Sequence, residues 1–507
     1  MLELSAETRT RHLEQMADRE VDVLVIGGGI TGAGVALDAA SRGLSVALVE
    51  RDDFASGTSG RSSRLIHGGA RYLRQGAVGL VYESLRERGL LLRRAPHLVR
   101  PIPFLLPVRK LRNRIPFGAG LTLYDVLATG RNIATHRRVS EREVERLAPG
   151  LARSSPGLLY WDCQTDDARL VIEVLRQAVA FGALIANRME VTGLIGEGVV
   201  RGARVTDRHD GGSLDVRARV TVNATGAWAD EVHALADPRP PKLRPSKGVH
   251  LVLDRARLPV RCVVVVPSLA GRGGMFLLIP WGPRVYAGPT DTPYEGPIES
   301  PAVESEDIQL VLGSIERAFP VGLTATDVLA SWAGVRPLLD TGPGETRDLS
   351  RRHVILTEPR GLITVTGGKL TTFRSMAEQV TDLAAKALGR GGGSRTARLP
   401  LGLTVALGAA TADAERTATS LGLPPEAGAR LVERYGDDWQ DAAALIRDDP
   451  KLGQPVAAGL PVLGVELELA RTREMSLDED DVLVRRTRLA LMGTAQPAGD
   501  GLRSSGR

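Results

Sequence analysis

Gly27-Gly28-Gly29-Ile30-Thr31-Gly32 satisfies G-x-G-x-x-G, and Glu50 lies 18 residues beyond Gly32. That spacing suits a dinucleotide. Gly27 permits a tight turn, Gly29 lets the backbone approach a pyrophosphate, and Gly32 allows a helix to pack closely on a strand. Free N–H groups at the helix start attract phosphate, the dipole contributing about 0.3–2 kcal/mol. A carboxylate at Glu50 suits a pair of ribose hydroxyls and repels a 2′-phosphate. A glycine-rich turn can exist without a ligand, but here the strand, helix, second strand and acid are all in place.

Three further loops expose backbone. Asp53 to Gly60 is polar and glycine-rich where another helix–strand unit would begin. Ala224-Thr225-Gly226 follows a short strand, and Thr366-Gly367-Gly368-Lys369 precedes a helix. Several such loops suit one long ligand, which points to FAD rather than NAD. No second G-x-G-x-x-G stands in a strand–helix–strand context, as a flavoenzyme using NAD(P)H would need. Reducing equivalents are therefore expected to enter from an organic substrate and leave to a quinone, another protein or oxygen.

The elements that must position these loops follow from periodicity. Val21 to Ile26 and Leu44 to Val49 read as strands flanking a small-residue helix from about Thr31 to Arg42. Helical spacing runs from Arg71 to about Pro96, returns near Leu121 to Leu127, and recurs over Asp167 to Phe181 and from Lys369 to about Leu388. Strand-like runs are Val220 to Val222, Leu251 to Leu253, Cys262 to Val266, Phe276 to Ile279, Val285 to Ala287, His353 to Leu356 and Leu362 to Val365. Gly389 to Ser394 reads as a hinge, and from Thr411 onward the pattern is mostly helical.

Composition sets outer bounds. The chain has 507 residues, 65 basic and 60 acidic, for a net charge of +5. No Lys/Arg block resembles a nucleic-acid arm, so no nucleic-acid partner is expected. Arg485-Arg486-Thr487-Arg488 reads by default as a solvated helix face, with lipid or a dimer partner as the weaker reading. Two distant cysteines, Cys163 and Cys262, give no disulfide framework and suit a reducing cytoplasm. No metal-ligand spacing occurs among the His and Cys residues. The start of the sequence lacks the apolar stretch of a signal peptide, and no apolar run reaches the ~18–20 residues that span a bilayer. Any membrane attachment is thus expected to be peripheral.

Several segments, read in order, resemble the FAD-dependent glycerol-3-phosphate dehydrogenases within the glycine/D-amino-acid oxidase superfamily. They are IGGGITGAGVALD (Ile26 to Asp38), TSGRSSRLIHGGARYL (Thr58 to Leu73), WDCQTDDARL (Trp161 to Leu170), VNATGAW (Val222 to Trp228), KGVH (Lys247 to His250), GVRPL (Gly334 to Leu338), GGKLTT (Gly367 to Thr372) and DDVLVRRTRL (Asp480 to Leu489). The resemblance runs from Val21 to about Met492. It implies an α/β and α+β architecture: a Rossmann-like FAD-binding domain interleaved with an antiparallel-sheet substrate domain, plus a C-terminal helical domain. The boundaries read as a polar segment at 1–20, FAD and substrate parts over 21–395, helices over 396–495 and a disordered tail at 496–507. Within the large region, FAD parts fall at about 21–75, 158–235 and 350–390, and substrate parts at about 76–157 and 236–349.

The resemblance also implies oxidation of sn-glycerol 3-phosphate to dihydroxyacetone phosphate, reduction of a quinone and peripheral contact with the cytoplasmic membrane; a homodimer is compatible with it. Related oxidases, which use oxygen, carry a middle insertion that this chain lacks. The phosphate needs forked cationic donors, and the resemblance sets Arg71, Arg336 and Arg347 near the substrate, with Tyr72 beside Arg71. His250 is the candidate base for the C2 hydroxyl. Lys369 is its rival, or a source of positive charge for the flavin. Lys247 and His67 are secondary candidates. Thr58, Ser59, Ser62, Ser63 and His67 are expected on the cofactor, together with Gly226, Gly367, Gly368, Lys369, Leu370 and Thr371. Cys163 is rejected as a nucleophile because hydride chemistry needs no thiol. An amino-acid or amine oxidase on the same fold and a non-enzymatic nucleotide-binding module are the alternatives.

Overall fold

The apolar run Val21–Ile26 forms a strand buried along its whole length, as a strand covered on both faces must be. It pairs in parallel with Val46–Val49 on one side and Ser213–Asn223 on the other. Leu184–Ala186 and Leu362–Gly367 extend the parallel sheet at its two ends, and His353–Leu356 closes one edge antiparallel. In the computed structural model, residues 4–108, 111–152, 155–237, 243–271, 274–340 and 352–493 are described. The helix Ile30–Ser41 lies on this sheet between the helices Asp167–Ala180 and Phe373–Ala387. Gly34 makes the close crossing feasible, because a Cβ there would lie 2.9 Å from the Phe373 ring.

A second, ten-stranded sheet is antiparallel except where Val263–Pro267 runs beside Arg100–Pro107. At its heart Ser246–Asp254 pairs with both Val328–Arg336 and Arg284–Gly288. The strand Gly157–Gln164, grouped by sequence with the FAD parts, hydrogen-bonds in this sheet, as does the short strand Leu65–Ile66. The helix Ser305–Ala318 buries its apolar face against the sheet's outer side. The helices Leu407–Ser420, Pro425–Tyr435, Trp439–Asp448 and Gly464–Arg473 share a separate apolar core.

Three sequence expectations change in detail. The polar start contains a helix, Ala6–Asp18, docked by Arg9, whose Nη2 donates to Asp207 at 2.7 Å. The glycine segment expected to hinge is fastened: Arg42 donates to the Gly392 carbonyl at 3.1 Å, and the Ser394 hydroxyl bonds Asp38 at 2.5 Å. The basic cluster is not a solvated face. Arg485, Arg486 and Arg488 are buried, and apart from Asp481, which also pairs with Arg485, their carboxylate partners are far away in sequence. Arg485 Nε and Arg486 Nη1 reach Asp53 at 2.6 and 2.7 Å, while Arg488 bonds Asp166 and Asp167. These groups are committed inside the protein and offer nothing to lipid. The expected disordered tail at 496–507 lies outside the described residues.

Removing one partner from such a buried cluster leaves uncompensated charge. Asp53→Ala is expected to cost about 3–5 kcal/mol, read as a lower midpoint in denaturant unfolding. An unchanged midpoint would show that the pairs contribute nothing.

Candidate active site

A cavity of about 470 Å³ opens where the parallel strands end, between the two sheets. Its floor is the glycine turn that follows Val21–Ile26. Gly27 has φ +111°, and a Cβ on it would lie 2.7 Å from the Ala224 carbonyl. A Cβ on Gly32 would sit 1.9 Å from the Gly27 carbonyl oxygen, a backbone collision that no rotamer relieves. Gly29 borders the cavity, and Ser59 closes the same turn by accepting the Ile30 N–H at 2.9 Å.

Glu50 ends the second strand and fastens this turn. Gly28 N–H donates to one carboxylate oxygen at 2.6 Å and Asp52 N–H to the other at 2.8 Å. Loss of water around the group outweighs these donors and pushes its pKa up to about 7. Met189, Val191, Trp228 and Leu235 line the same end of the cavity. Met189 and Val191 were missed in the sequence, because strand Met189–Leu194 carries no motif.

The serine loop forms the middle. Thr58, Ser59, Ser62 and Ser63 all line the cavity, but their hydroxyls already have protein partners. Thr58 donates to the Val335 carbonyl at 2.6 Å, and Ser62 Oγ bonds Asp167 at 2.6 Å. Ser63 Oγ is 2.9 Å from His250 Nε2. The second and third loops meet opposite: the Thr366 hydroxyl donates to the Gly226 carbonyl at 3.1 Å. Gly367 and Gly368 both adopt φ near +80°. They turn the chain into Leu370–Thr372, where the Thr371 hydroxyl both receives the His67 N–H and donates to its carbonyl.

The far end carries the candidate chemistry. His250 lies on Ser246–Asp254 directly across from Trp332, and the two rings stack at 4.7 Å and 13°. Burial, with Arg336 and Arg64 nearby, holds the imidazole well below the usual histidine range. Arg336 lies flat on Gly248, and a Cβ there would be 2.2 Å from its Nη2. It is braced by the Thr290 carbonyl at 3.0 Å and by Ser246 at 3.2 Å. Lys369 Nζ sits 4.2 Å from the Tyr72 ring centroid and donates to Ser84 at 3.1 Å. His67 is neutral, pushed down to about 4 by burial and the surrounding cations.

Thus the cavity brings together His250, Lys369, Tyr72, Arg336 and His67 with Gly27, Gly29, Glu50, Thr58, Ser59, Ser62, Ser63, Gly226, Gly367, Gly368, Leu370 and Thr371. Gly32 supports the turn from behind. Arg71 is not brought in: it is exposed, with its guanidinium 5.4 Å from the outer side of the Tyr72 ring. Arg347 lies outside the described residues. Lys247 is turned away, because its Nζ pairs with Glu304 at 2.9 Å and Asp307 at 2.8 Å, which raises its pKa and keeps it cationic. Cys163 is fully buried with its thiol pushed up to about 12, unsuited to nucleophilic work.

Residues 22–383 match the FAD dependent oxidoreductase family, and residues 394–498 match the C-terminal domain of alpha-glycerophosphate oxidase. The chain is 39% identical to a glycerol-3-phosphate dehydrogenase of Mycobacterium leprae, over 96% of this chain and 84% of that one. It is 40% identical to glycerol-3-phosphate dehydrogenase 1 of Mycobacterium tuberculosis, over 96% and 95% of the two chains. The solved glycerol-3-phosphate dehydrogenase of Bacillus halodurans, complexed with FAD, superposes with a TM-score of 0.80 at 33% identity, covering 96% of this chain and 90% of its own.

The residues present fit FAD: a bare glycine cradle, a carboxylate at one end and cations at the other. Glu50 makes the fit measurable. Ribose hydroxyls donating to this carboxyl would favour its charged form, so FAD would bind with loss of the proton. Affinity of the apoprotein for FAD is expected to rise with pH up to about 7 and level off above it. Glu50→Gln should flatten the profile; a flat wild-type profile would refute the role.

Proposed function

The chain belongs to the FAD-dependent glycerol-3-phosphate dehydrogenases, and on that footing we propose which residues carry the oxidation of sn-glycerol 3-phosphate to dihydroxyacetone phosphate. The observation that supports the assignment is that two neutral imidazoles, His250 and His67, line one cavity together with the cations Arg336 and Lys369. When bound, FAD supplies the two-electron acceptor for the hydride that leaves C2. The remaining work falls to side chains.

Arg336 holds the substrate phosphate. Its guanidinium is already oriented by the Thr290 carbonyl and Ser246, so little ordering entropy is lost on binding. His250 takes the C2 hydroxyl proton. Its depressed pKa keeps it unprotonated at neutral pH, and Trp332 and Ser63 fix its ring plane. Lys369, steered by Tyr72 and Ser84, supplies positive potential beside the cofactor. Arg347, outside the described residues, is proposed as the second phosphate holder beside Arg336, and Arg71, exposed next to Tyr72, as a contributor to phosphate capture.

A quinone is the proposed acceptor, at a membrane surface reached by peripheral contact on the cytoplasmic side. No helix among the described residues is long and apolar enough to cross a membrane. The helix Leu111–Leu127 nevertheless presents Ile115, Leu123 and Val126 to solvent at 78%, 40% and 61% exposure, with Val78 and Tyr82 exposed on the helix Val78–Arg94. Apolar side chains gathered on a surface helix suit the interfacial layer where a quinone dissolves.

Anaerobic sn-glycerol 3-phosphate is expected to bleach the visible flavin band, with a quinone analogue restoring it faster than oxygen does. No bleaching would overturn the substrate. Loss of the base in His250→Asn should slow flavin reduction by about 10²–10⁴-fold, with Lys369→Ala as its rival. Arg336→Met should remove about 1.5–3 kcal/mol of phosphate binding, roughly 10- to 100-fold in KM. The base acts unprotonated, so the acid limb of kcat/KM should lie below the ordinary histidine range. Ile115→Glu combined with Val126→Glu should abolish co-sedimentation with phosphatidylglycerol vesicles at unchanged flavin content. Undiminished sedimentation would move the membrane contact elsewhere.

A further inference from the structure

A second cavity, of about 80 Å³, lies behind the wall that carries His250 and shares no lining residue with the first. It lies between the strand-rich core and the C-terminal helices and is open on the side of Arg100 and Glu433. Arg64, His97, Asp166, Arg169, Arg434 and Arg488 line it, and Arg100 and Arg430 also border it. Arg64 and Arg488 both hold left-handed backbone, at φ +54° and +66°, a conformation that non-glycine residues rarely adopt. Both residues line the same small space.

The lining arginines other than Arg64 are hydrogen-bonded to carboxylates, Arg100 to Glu433, which also lines the cavity, and Arg430 to Glu466. Asp166 accepts from both Arg434 and Arg488, and Arg169 is taken by Glu474. Arg64 is 2% exposed, yet no hydrogen bond from its guanidinium is formed among the described residues. Its nearest carboxylate, Asp167 at 3.9 Å, is already bonded to Arg488. Burial and the Arg488 charge push the Arg64 pKa down, as expected where negative charge is short. Arg434 Nε and both ring nitrogens of the buried His97 also lack a hydrogen-bond partner. The nearest charge to Arg434 Nε is Glu466, at 3.4 Å. His97 is held neutral, pushed down to about 3 by burial and Arg169, and so has one N–H to donate.

The orphaned groups on this cavity are therefore mainly N–H donors carried by cations. Water would satisfy some of them but brings no charge, whereas a tetrahedral oxyanion accepts from several forked donors at once. We propose that this cavity is a binding site for a small oxyanion, inorganic phosphate being the fitting example, held by Arg64, Arg434 and His97. The volume suits a bare oxyanion rather than a phosphate ester with its carbon chain. The ligand would tie Arg64 and His97 of the core to Arg434 of the C-terminal helices. It would also fix the guanidinium that stacks on Trp281 at 4.0 Å and lies 5.1 Å from Trp332.

The test uses the full-length, FAD-loaded protein. Crystals soaked in selenate should show an anomalous peak between Arg64 and Arg434. Density that refines as water, with no anomalous signal, would overturn the proposal. In solution, inorganic phosphate is titrated calorimetrically at constant ionic strength into wild type, Arg336→Met and Arg64→Met. Arg336→Met should keep the cavity class of binding, and Arg64→Met should weaken it by roughly tenfold or more. His97→Phe, which fills the space, is the second variant should Arg64→Met not fold. A phosphate class that survives in both Arg64→Met and His97→Phe would refute the site. Titration of Arg336→Met with sn-glycerol 3-phosphate separates the two sources of the anion: heat at the cavity class would show that the ester enters, against the proposal.

Discussion

Three aspartates of the cofactor-binding half, Asp53, Asp166 and Asp167, depend on arginines that arrive more than three hundred residues later. A buried carboxylate without a countercharge is not tolerated, and each of these finds one on the segment carrying Arg485, Arg486 and Arg488. The dependence reaches the active site through Asp167. One of its oxygens takes Arg488, and the other takes both the N–H and the hydroxyl of Ser62. Ser63, the next residue, bonds His250. Asp53 stands three residues after Glu50, so the same tail also pins the loop leaving the carboxylate that holds the glycine turn. The C-terminal segment is thus part of what shapes the cavity, although none of its residues lines it.

This explains what could and could not be read in the sequence. The glycine turn was legible because its chemistry is local: Gly27, Gly29, Gly32 and Glu50 lie within one strand–helix–strand unit, and their types follow from backbone geometry alone. The basic tail was misread as a solvated face because nothing local distinguishes a buried arginine from an exposed one. Its partners stand at positions 53, 166 and 167, and only the fold brings them near. The tail's DDVLVRRTRL pattern was visible, but its cause was not.

The substrate end shows a subtler limit. Strand alternation places positions 246, 248 and 250 on one face and 247 on the other. His250, Gly248 and Arg336 accordingly meet the cavity, while Lys247 turns to Glu304 and Asp307. The apolar run that marks this strand in the sequence starts only at Leu251, whereas the strand itself begins at Ser246, so the alternation that separates His250 from Lys247 is not visible in the hydrophobic pattern. Across the ladder, Arg336 pairs with Ser246, Gly334 with Gly248 and Trp332 with His250. That register delivers an arginine, a glycine gap and a stacking indole to one wall, and it follows from pairing over long sequence separation.

The electrostatics of that wall fit an anionic substrate. Burial and neighbouring cations hold His67 and His250 neutral, with Arg336 exerting the largest charge effect on His250. A buried site beside cations keeps its imidazole ready to accept a proton but makes it a weak base. Binding a phosphate dianion to Arg336 offsets the charge that depresses His250, so its basicity should rise as the C2 hydroxyl comes into reach. In the proposed roles, the ligand that needs the base also strengthens it. A neutral alcohol of the same shape would bring no added negative charge to Arg336, which Asp291 already pairs at 3.7 Å, so selectivity for the phosphorylated substrate would appear in the proton-transfer step as well as in binding.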